Sequence, residues 1–282
     1  MTVDADSARA RSWLFVPGSR AERFAKATAS GADQVILDLE DAVDAGVKDR
    51  ARDDVVEWLR RGGHAWVRTN GVATRWWDCD VAALKDAGPG LLGLVLPKAD
   101  TRAVAVAADR THGSLPLVAL VETAGGLRDA SGIAAHPAVA ALAFGALDYA
   151  LDVGVTDDTA LDFARHTLVL ATRAGGAALL IDGVSAAVTD TDAVTRDAAR
   201  ARALGFGGKL CIHPAQIAAV HHGFAPTADE VAWATRVVAS ADALPPERAG
   251  AFRVDGRMVD RPVLLRARRL LAQTERPLGG IA

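Results

Sequence analysis

Short apolar runs recur along the chain, and longer stretches with helical periodicity separate many of them. Each run is short enough for a buried β-strand, and most are bounded by Gly or Pro. We predict eight strands, at residues 13–16, 34–37, 65–67, 92–96, 117–121, 139–144, 177–181 and 209–212.

Helical segments lie between these strands. The segments 21–30, 47–61, 159–174 and 191–204 are each followed by glycine, a residue that commonly ends helices. Strands that alternate with helices predict parallel β/α units. Eight units over about 210 residues predict an α/β fold, the (β/α)8 TIM barrel, whose usual size is about 250 residues. A doubly wound sheet is the alternative, but it would more often show a glycine-rich phosphate loop after its first strand.

Beyond the eighth strand the pattern is helical again, with one hairpin. We predict two helices, a β-hairpin turning at Asp255-Gly256 and a basic amphipathic helix, at 214–222, 227–240, 252–259 and 262–274. The resulting organisation is a flexible N-terminus, a barrel and a C-terminal helical extension that serves as a lid or arm, at 1–10, 11–223 and 224–282.

The composition is that of an ordinary globular protein. Of the 282 residues, 50% are hydrophobic and 24% are charged, with a net charge of −3, so the chain has no general basic surface for nucleic acid or an anionic membrane. Two cysteines, Cys79 and Cys211, are too few for a disulfide framework, and no apolar run reaches the length of a membrane span. We expect a cytoplasmic protein with no nucleic-acid or membrane partner.

Acidic residues follow two consecutive predicted strands. Glu122 comes directly after the fifth strand and Asp148 follows the sixth, and the C-terminal ends of barrel strands carry the chemistry of this fold. A helix cap or a salt bridge would explain either residue alone. Two neighbouring carboxylates repel each other unless a cation lies between them, and hard oxygen ligands favour Mg2+. The pair therefore predicts a magnesium site, and the absence of an accompanying His or Cys argues against zinc.

Arg68 lies at the end of the third predicted strand. Alternation places Trp66, Arg68 and Asn70 on one face, and an arginine at a barrel mouth is suited to bidentate binding of a keto-acid carboxylate. Pairing of Arg68 with Asp38 or Glu40 is the other interpretation. The two are compatible, because such a partner would orient the guanidinium.

Other residues near strand ends leave alternatives open. Glu40 is expected to hold metal-bound water or to shape the site. Lys98 follows the fourth strand, where a lysine can form a Schiff base with a substrate carbonyl, but an acidic metal site beside it makes that chemistry less attractive. His213 precedes Pro214, a residue typical of a first helical turn, and we favour a structural or ligand-contact role for it over catalysis.

An ordered set of motifs resembles the citrate lyase beta-subunit-like branch of the HpcH/HpaI aldolase family, which includes malyl-CoA and citramalyl-CoA lyase-like proteins. The motifs occur in the order typical of the family, from near residue 12 to near residue 270. They are LFVPGSR at 14–20, LDLEDAV at 37–43, RTN at 68–70, LPK at 96–98, VETA at 121–124, FG at 144–145, CIHPAQI at 211–217 and GRMVD at 256–260.

This resemblance implies a magnesium-dependent barrel lyase that acts on a carbon–carbon bond between an acyl-CoA thioester and a small keto acid, usually as a homotrimer or hexamer. It implies that Glu122 and Asp148 bind the metal and that Arg68 binds the substrate carboxylate. The aspartate matching Asp260 lies on a C-terminal lid, often at a neighbouring subunit's site, and is the expected acid/base for the acetyl methyl group.

The resemblance also implies a region that contacts coenzyme A. The expected contacts are the basic residues of the first helix together with the segment after the eighth strand, namely Arg20, Arg23, Lys26, His213 and Pro214. For the basic residues, simple solvation of the helix is the other interpretation.

One departure from the family pattern concerns Leu147. Many relatives have an acidic residue immediately before the metal-binding aspartate, so the surroundings of the metal and the choice of substrate are expected to differ here. Two other activities stay open, a CoA-independent class II pyruvate-type aldolase and a lyase subunit that acts on an acyl-carrier-protein thioester. The aldolase branch typically has a histidine after the glutamate that matches Glu40, where this chain has Asp41.

Overall fold

The eight predicted strands form one closed parallel barrel. The computed structural model describes residues 7–244 and 250–274. The strands pair in sequence order, and β8 pairs with β1 to close the barrel, which confirms the predicted TIM-barrel fold. Their bounds are β1 Ser12–Pro17, β2 Gln34–Asp38, β3 Ala65–Arg68, β4 Leu91–Leu96, β5 Leu117–Val121, β6 Val139–Phe144, β7 Leu179–Asp182 and β8 Gly208–Cys211.

Helices follow the strands and surround the barrel. Short 3-10 turns, at Ser7–Arg9, Ala21–Arg23, Ala45–Val47 and Asp158–Leu161, precede several of these elements. The helices of the barrel are α1 Phe24–Thr28, α2 Lys48–Arg60, α3 Trp77–Leu84, α4 Thr101–Arg110, α5 Ala124–Ala135, α6 Ala146–Val153, α7 Asp162–Gly175, α8 Thr191–Leu204 and α9 Gln216–Phe224.

Alternation along the strands builds two apolar cores. Trp13, Trp66 and Leu210 belong to the cluster inside the barrel, where the two indole rings lie 5.5 Å apart. Leu14 and Leu37 point the other way and pack against the helices. Each fully buried large side chain contributes about 1.5–3 kcal/mol to folding. The polar residues at the strand ends are therefore attached to a densely packed frame.

The C-terminal residues form a separate compact unit. The chain divides into the units Met1–Phe224 and Ala225–Ala282. The second unit contains α10 Ala228–Asp242, a hairpin of β9 Phe252–Val254 and β10 Arg257–Val259, and α11 Arg261–Thr274. Its core is made of small and aliphatic side chains from all four elements, including Val237, Val254, Val259 and Leu270.

The predicted hairpin turns where the sequence indicated. Asp255 and Gly256 both have positive φ, at 49° and 75°, as a two-residue turn between twisted strands requires. Residues 1–6 of the predicted flexible N-terminus, and residues 245–249 and 275–282 of the predicted extension, lie outside the described residues. Among the described helices, none has both the length and the apolar character needed to cross a bilayer.

Candidate active site

A cavity of about 230 Å3 opens at the C-terminal ends of the strands. Its wall combines apolar side chains such as Phe15 and Phe144 with the ionisable groups of Arg68, Glu122 and Asp148. Three residues that the sequence analysis assigned to the metal and the keto acid therefore face one space. This is the rim at which barrel enzymes carry their active sites.

Arg68 is held by two acidic residues of the β2 exit. Its Nε and Nη2 atoms each donate a 2.7 Å hydrogen bond to the Asp38 carboxylate, and its Nη1 lies 3.1 Å from Glu40 Oε2. Phe15 stacks 4.7 Å from the guanidinium carbon. Burial opposes the charge on Arg68, but the Asp38 and Glu40 carboxylates outweigh burial and raise its pKa. The guanidinium is thus permanently charged and its plane is fixed.

The strand-alternation argument was right for Arg68 and wrong for Asn70. Trp66 points into the barrel and Arg68 reaches the cavity, as predicted. Asn70 lies beyond the end of β3, where its side-chain amide and its main-chain N–H both donate to Asp80. Alternation ends with the strand, so Asn70 serves the local fold instead of the site.

Glu40 has an incompletely satisfied carboxylate. Its Oε1 accepts a 2.6 Å hydrogen bond from Lys98 Nζ. Its Oε2 is buried and has no hydrogen-bond donor among the described residues, because Arg68 Nη1 is close but poorly aligned. Burial raises the pKa of Glu40 in spite of the two cations. A buried acceptor without a donor is costly and rare, and it commonly marks a functional position.

Glu122 is deeply buried in the wall of the cavity, with 1% of the residue exposed. Its Oε1 accepts the main-chain N–H of Lys98 at 2.7 Å. Burial, followed by the negative charge of Glu40 and then that of Asp148, raises the pKa of Glu122 to about 8. A carboxyl group in this situation ionises readily only when a cation is close by.

Gly145 makes room for the Glu122 side chain. A Cβ atom on residue 145 would lie 2.5 Å from both Cβ and Oε2 of Glu122, which is far inside van der Waals contact. Glycine at this position therefore has a steric reason, although a single Gly between a strand and a helix gave the sequence analysis no specific signal.

Asp148 lies in the first turn of α6, three residues after the strand-end glycine. It is half-buried and lines the same cavity as Glu122. Within the described ranges, no cluster of three or more His, Cys, Asp or Glu side chains has the geometry of a metal cage. Two carboxylates on one cavity fit Mg2+, which retains several waters and takes few protein ligands.

Lys98 is an ion-paired side chain in this structure. Besides Glu40, its Nζ lies 3.8 Å from Asp41 and 3.9 Å from Glu122. Burial would lower the pKa of Lys98, but the hydrogen bond and charge of Glu40 outweigh burial and raise it. A Schiff base requires the neutral amine. The surroundings therefore disfavour the covalent mechanism considered for this residue.

The expected coenzyme A contacts lie outside the lining of the cavity. Arg20 and Arg23 follow β1, and both are exposed near Glu22, at 3.7 and 3.9 Å. Lys26 lies on the exposed surface of α1. His213 and Pro214 follow β8, the neighbour of β1 in the barrel. The two segments therefore flank one edge of the barrel mouth.

Asp260 belongs to the C-terminal unit. It directly precedes α11, and its Oδ1 accepts the main-chain N–H of Val263 at 3.2 Å, the hydrogen bond of a helix N-cap.

The sequence contains little indication of a role for Lys48, whose Nζ bonds the main-chain carbonyls of Leu39 and Glu40, directly after β2. The one signal is that Lys48 lies in the first turn of α2. A positive charge there opposes the helix dipole, which indicates that another contact stabilises it.

Comparisons with known proteins identify the family of the chain. The HpcH/HpaI aldolase/citrate lyase family model matches residues 11–214. The chain is 38% identical to a citrate lyase subunit beta-like protein of Deinococcus radiodurans, over 96% of this chain and 99% of that protein. It is 34% identical to a (3S)-malyl-CoA thioesterase of Cereibacter sphaeroides, over 94% of each.

A solved structure is similar over nearly the whole chain. The CitE protein of Mycobacterium tuberculosis, in complex with magnesium, acetoacetate and coenzyme A, is 34% identical and superposes with a TM-score of 0.84, covering 95% of this chain and 100% of that one. The chain therefore belongs to the HpcH/HpaI aldolase/citrate lyase family, and the enzyme class that this membership assigns to it is carbon–carbon lyase.

Proposed function

We propose that the protein is a magnesium-dependent lyase that cleaves or forms a 3-hydroxyacyl-CoA thioester from an acyl-CoA and a small keto acid. The observation that carries this proposal is that Arg68, Glu122 and Asp148 line one cavity. The guanidinium of Arg68 is suited to bind a substrate carboxylate, and the two carboxylates are suited to bind a metal ion. The similar CitE protein, solved with magnesium, a keto acid and coenzyme A, supports the same combination here.

Each side chain has a separate task in this proposal. Glu122 and Asp148 hold Mg2+, which when bound supplies Lewis-acid stabilisation of oxygen charge on the keto-acid half. Arg68, oriented by Asp38, lines the cavity and binds the keto-acid carboxylate there. Glu40 fixes Arg68 from the other side and is our candidate for the group that accepts the substrate hydroxyl proton, since its raised pKa makes it a better base.

The cleavage direction requires two proton transfers. The hydroxyl of the substrate loses its proton as the carbon–carbon bond breaks, and the electron pair of that bond passes to the thioester half as an enolate. The enolate then takes up a proton at carbon, and we assign that proton to Asp260. The exposed Arg20, Arg23 and Lys26, with the His213-Pro214 segment, are our candidates for binding the phosphates and the pantetheine arm of coenzyme A.

A thioesterase outcome is the second candidate, because one similar protein is a (3S)-malyl-CoA thioesterase. Incubation with Mg2+ and malyl-, citramalyl-, 3-hydroxy-3-methylglutaryl- and citryl-CoA separates the two. A lyase releases a keto acid and leaves an acyl-CoA thioester, whereas a thioesterase hydrolyses the thioester itself and releases the hydroxy acid with the free thiol of coenzyme A, which a disulfide reagent detects. EDTA and Glu122→Gln should abolish either activity. Turnover in EDTA with borohydride trapping at Lys98 would reject the metal mechanism.

The role of Asp260 as proton donor can be tested with a variant that keeps its helix-capping hydrogen bond. Asparagine caps a helix about as well as aspartate, so Asp260→Asn keeps the hydrogen bond to Val263 and removes only the ionisable group. We expect this variant to bind Mg2+ and keto acid normally and to lose turnover. Normal turnover would show that Asp260 is not the proton donor, without touching the metal and carboxylate assignments.

We also propose a homo-oligomer, a trimer or hexamer. Large apolar side chains are exposed on two helices, with Leu151 of α6 at 83%, Phe163 of α7 at 73% and Leu170 of α7 at 70%, and exposed apolar surface, where it is contiguous, commonly marks a site of protein–protein contact. Light scattering gives the assembly size, and Phe163→Lys should reduce it.

Co-expressing Asp260→Asn with Glu122→Gln tests whether Asp260 serves a neighbour: activity restored in the mixed oligomer supports this, and activity no higher than that of the two separate variants rejects it.

A further inference from the structure

The loop that leaves β2 carries Glu40 but belongs to no regular element. Past the end of a strand, main-chain carbonyls lose their ladder partners and need other donors. The carbonyls of Leu39 and Glu40 both accept hydrogen bonds from Lys48 Nζ, at 2.7 Å each. One ammonium group therefore fixes two consecutive peptide planes of this loop.

The opposite side of the same loop is fixed by Asp38. Its carboxylate accepts the N–H groups of Glu40 and Ala42, at 2.9 and 3.1 Å, in addition to the two hydrogen bonds from Arg68. Asp38 thus binds main-chain N–H groups of the loop, and Lys48 binds its main-chain carbonyls. Together they determine the direction in which the Glu40 side chain leaves the main chain, toward Arg68 and Lys98.

The burial of Lys48 argues that its charge is needed. Only 7% of the residue is exposed, and the Trp76 ring lies 5.1 Å from Nζ. Both hydrogen-bond acceptors are main-chain oxygens, so among the described residues no carboxylate bonds the buried ammonium directly, and only the more distant charges of acids such as Asp38 and Asp80 favour it. An apolar side chain would serve packing better here. The position at the start of α2 opposes the helix dipole as well.

We propose that Lys48 is a positioning residue of the active site, which holds the β2 exit loop so that Glu40 and Asp38 present Arg68 to the keto-acid carboxylate. This inference rests on the proposed function for the identity of the ligand. Lys48 touches neither the cavity nor the metal ligands among the described residues. Its removal should therefore weaken keto-acid binding and turnover while leaving metal binding intact.

The test uses Lys48→Met, which keeps the length of the stem, and Lys48→Gln, which keeps one donor group. The control is Lys209→Met, because Lys209 is also buried and binds the exit of another strand, through Asp182 Oδ2 at 3.0 Å and the Gly183 carbonyl at 2.7 Å. For each full-length variant we would measure Mn2+ binding by electron paramagnetic resonance, pyruvate and acetoacetate binding in the presence of Mn2+, kcat, KM and Tm.

We expect Lys48→Met to weaken keto-acid binding and lower kcat/KM by about 10- to 100-fold, the range seen when residues that support metal and substrate ligands are removed. Mn2+ binding should be unchanged, and Lys48→Gln should be intermediate. Lys209→Met should lower Tm without changing keto-acid binding. Wild-type keto-acid affinity in both Lys48 variants, or an equal loss in Lys209→Met, would overturn the inference. Wild-type protein that binds Mn2+ and keto acid without turning over any acyl-CoA would reject the lyase and leave the binding test of Lys48 valid.

Discussion

Burial affects Glu40 and Glu122, at the C-terminal rim of the barrel, differently from the partly buried Asp33 at the N-terminal rim. At the C-terminal rim, burial raises the pKa of both Glu40 and Glu122, and Glu40 Oε2 has no donor among the described residues. At the N-terminal rim, Asp33 accepts the main-chain N–H groups of Arg11 and Ser12, at 2.7 and 3.1 Å. Burial opposes its charge, but the hydrogen bond and charge of His221, together with these N–H groups, lower the pKa of Asp33.

The N-terminal cluster contains Ser12, His221 and Asp33, the residue types of a hydrolytic triad, but its geometry is that of a structural contact. A triad uses both ring nitrogens of the histidine, one toward the serine and one toward the aspartate. Here Nε2 alone lies near both, 2.8 Å from Ser12 Oγ and 3.2 Å from Asp33. These bonds join β1, the start of β2 and α9. The polar groups of this cluster therefore satisfy one another and stabilise the N-terminal rim, whereas at the C-terminal rim Glu40 keeps an oxygen without a donor among the described residues and burial raises the pKa of Glu122.

The strongest test of this contrast is Glu122→Gln. At neutral pH without metal, Glu122 retains its proton because its pKa is about 8, so the amide replaces a neutral group of similar shape. We expect activity to fall by more than about 100-fold, beyond the usual effect of residues that only support metal ligands. In EDTA at neutral pH the variant should be at least as stable as wild type, because the unfolded wild type releases the Glu122 proton that the folded protein retains.

The matching control is the effect of Mg2+ on Tm. A ligand that binds only the folded state raises Tm, so wild-type protein should be stabilised by Mg2+ and Glu122→Gln should not. Equal stabilisation of the two proteins would show that the metal binds elsewhere.

Gly145→Ala tests whether the active rim depends on steric room. The added Cβ would lie 2.5 Å from two atoms of Glu122, so the carboxylate must move. We expect metal affinity and kcat/KM to fall by about 10- to 100-fold, measured by Mn2+ binding and steady-state kinetics.

Gly125→Ala is the control for this substitution. Gly125 lies three residues after Glu122, in the first turn of α5. The nearest atom to its added Cβ would be 3.9 Å away. Alanine also has the higher helix propensity, so full activity and no loss of stability are expected. A loss of activity in Gly125→Ala as large as in Gly145→Ala would contradict the steric argument.

The sequence predicted which residues share the cavity where those residues lie at the end of a strand or soon after it. Arg68 and Glu122 were found because alternation and short apolar runs locate strand ends, and barrel topology brings those ends together. Asp148 was found in the same way although it lies within the first turn of α6. Asn70 was placed wrongly because alternation was extended past the last residue of β3.

What the sequence did not predict are contacts that depend on three-dimensional placement. Lys48 bonds main-chain carbonyls eight and nine residues earlier in the chain, and any residue type provides such carbonyls, so no pattern marks them. The steric need for Gly145 arises from Glu122, which directly follows the neighbouring strand β5. The pairing of Ser12 with His221 spans 209 positions, and neither residue follows a predicted strand.

At the N-terminal rim, Asp33→Asn should affect stability and leave the chemistry unchanged. The variant loses a charged acceptor that holds two main-chain N–H groups and His221. Loss of such a partner in a partly buried site costs about 1–3 kcal/mol. Denaturant unfolding should show a lower midpoint with normal kcat and KM for the folded enzyme. A variant with normal stability but impaired turnover would reverse the assignment of the two rims.

The smallest expected effect concerns the free energy of unfolding, which should change with pH in opposite directions for Asp33 and Glu122. The lowered pKa of Asp33 gives stability that is present above its unfolded value of 3.8 and is lost as the pH falls through the folded value. The difference in free energy of unfolding between wild type and Asp33→Asn should therefore shrink in acid.

Glu122 has the opposite sign, because its raised pKa gives stability that is complete below 4.5 and is lost as the pH rises through about 8. Metal-free wild type should thus lose stability relative to Glu122→Gln on the alkaline side, which denaturant titrations in EDTA at several pH values would measure. The same sign for both pairs would contradict the contrast between a rim built for stability and a rim that awaits a cation.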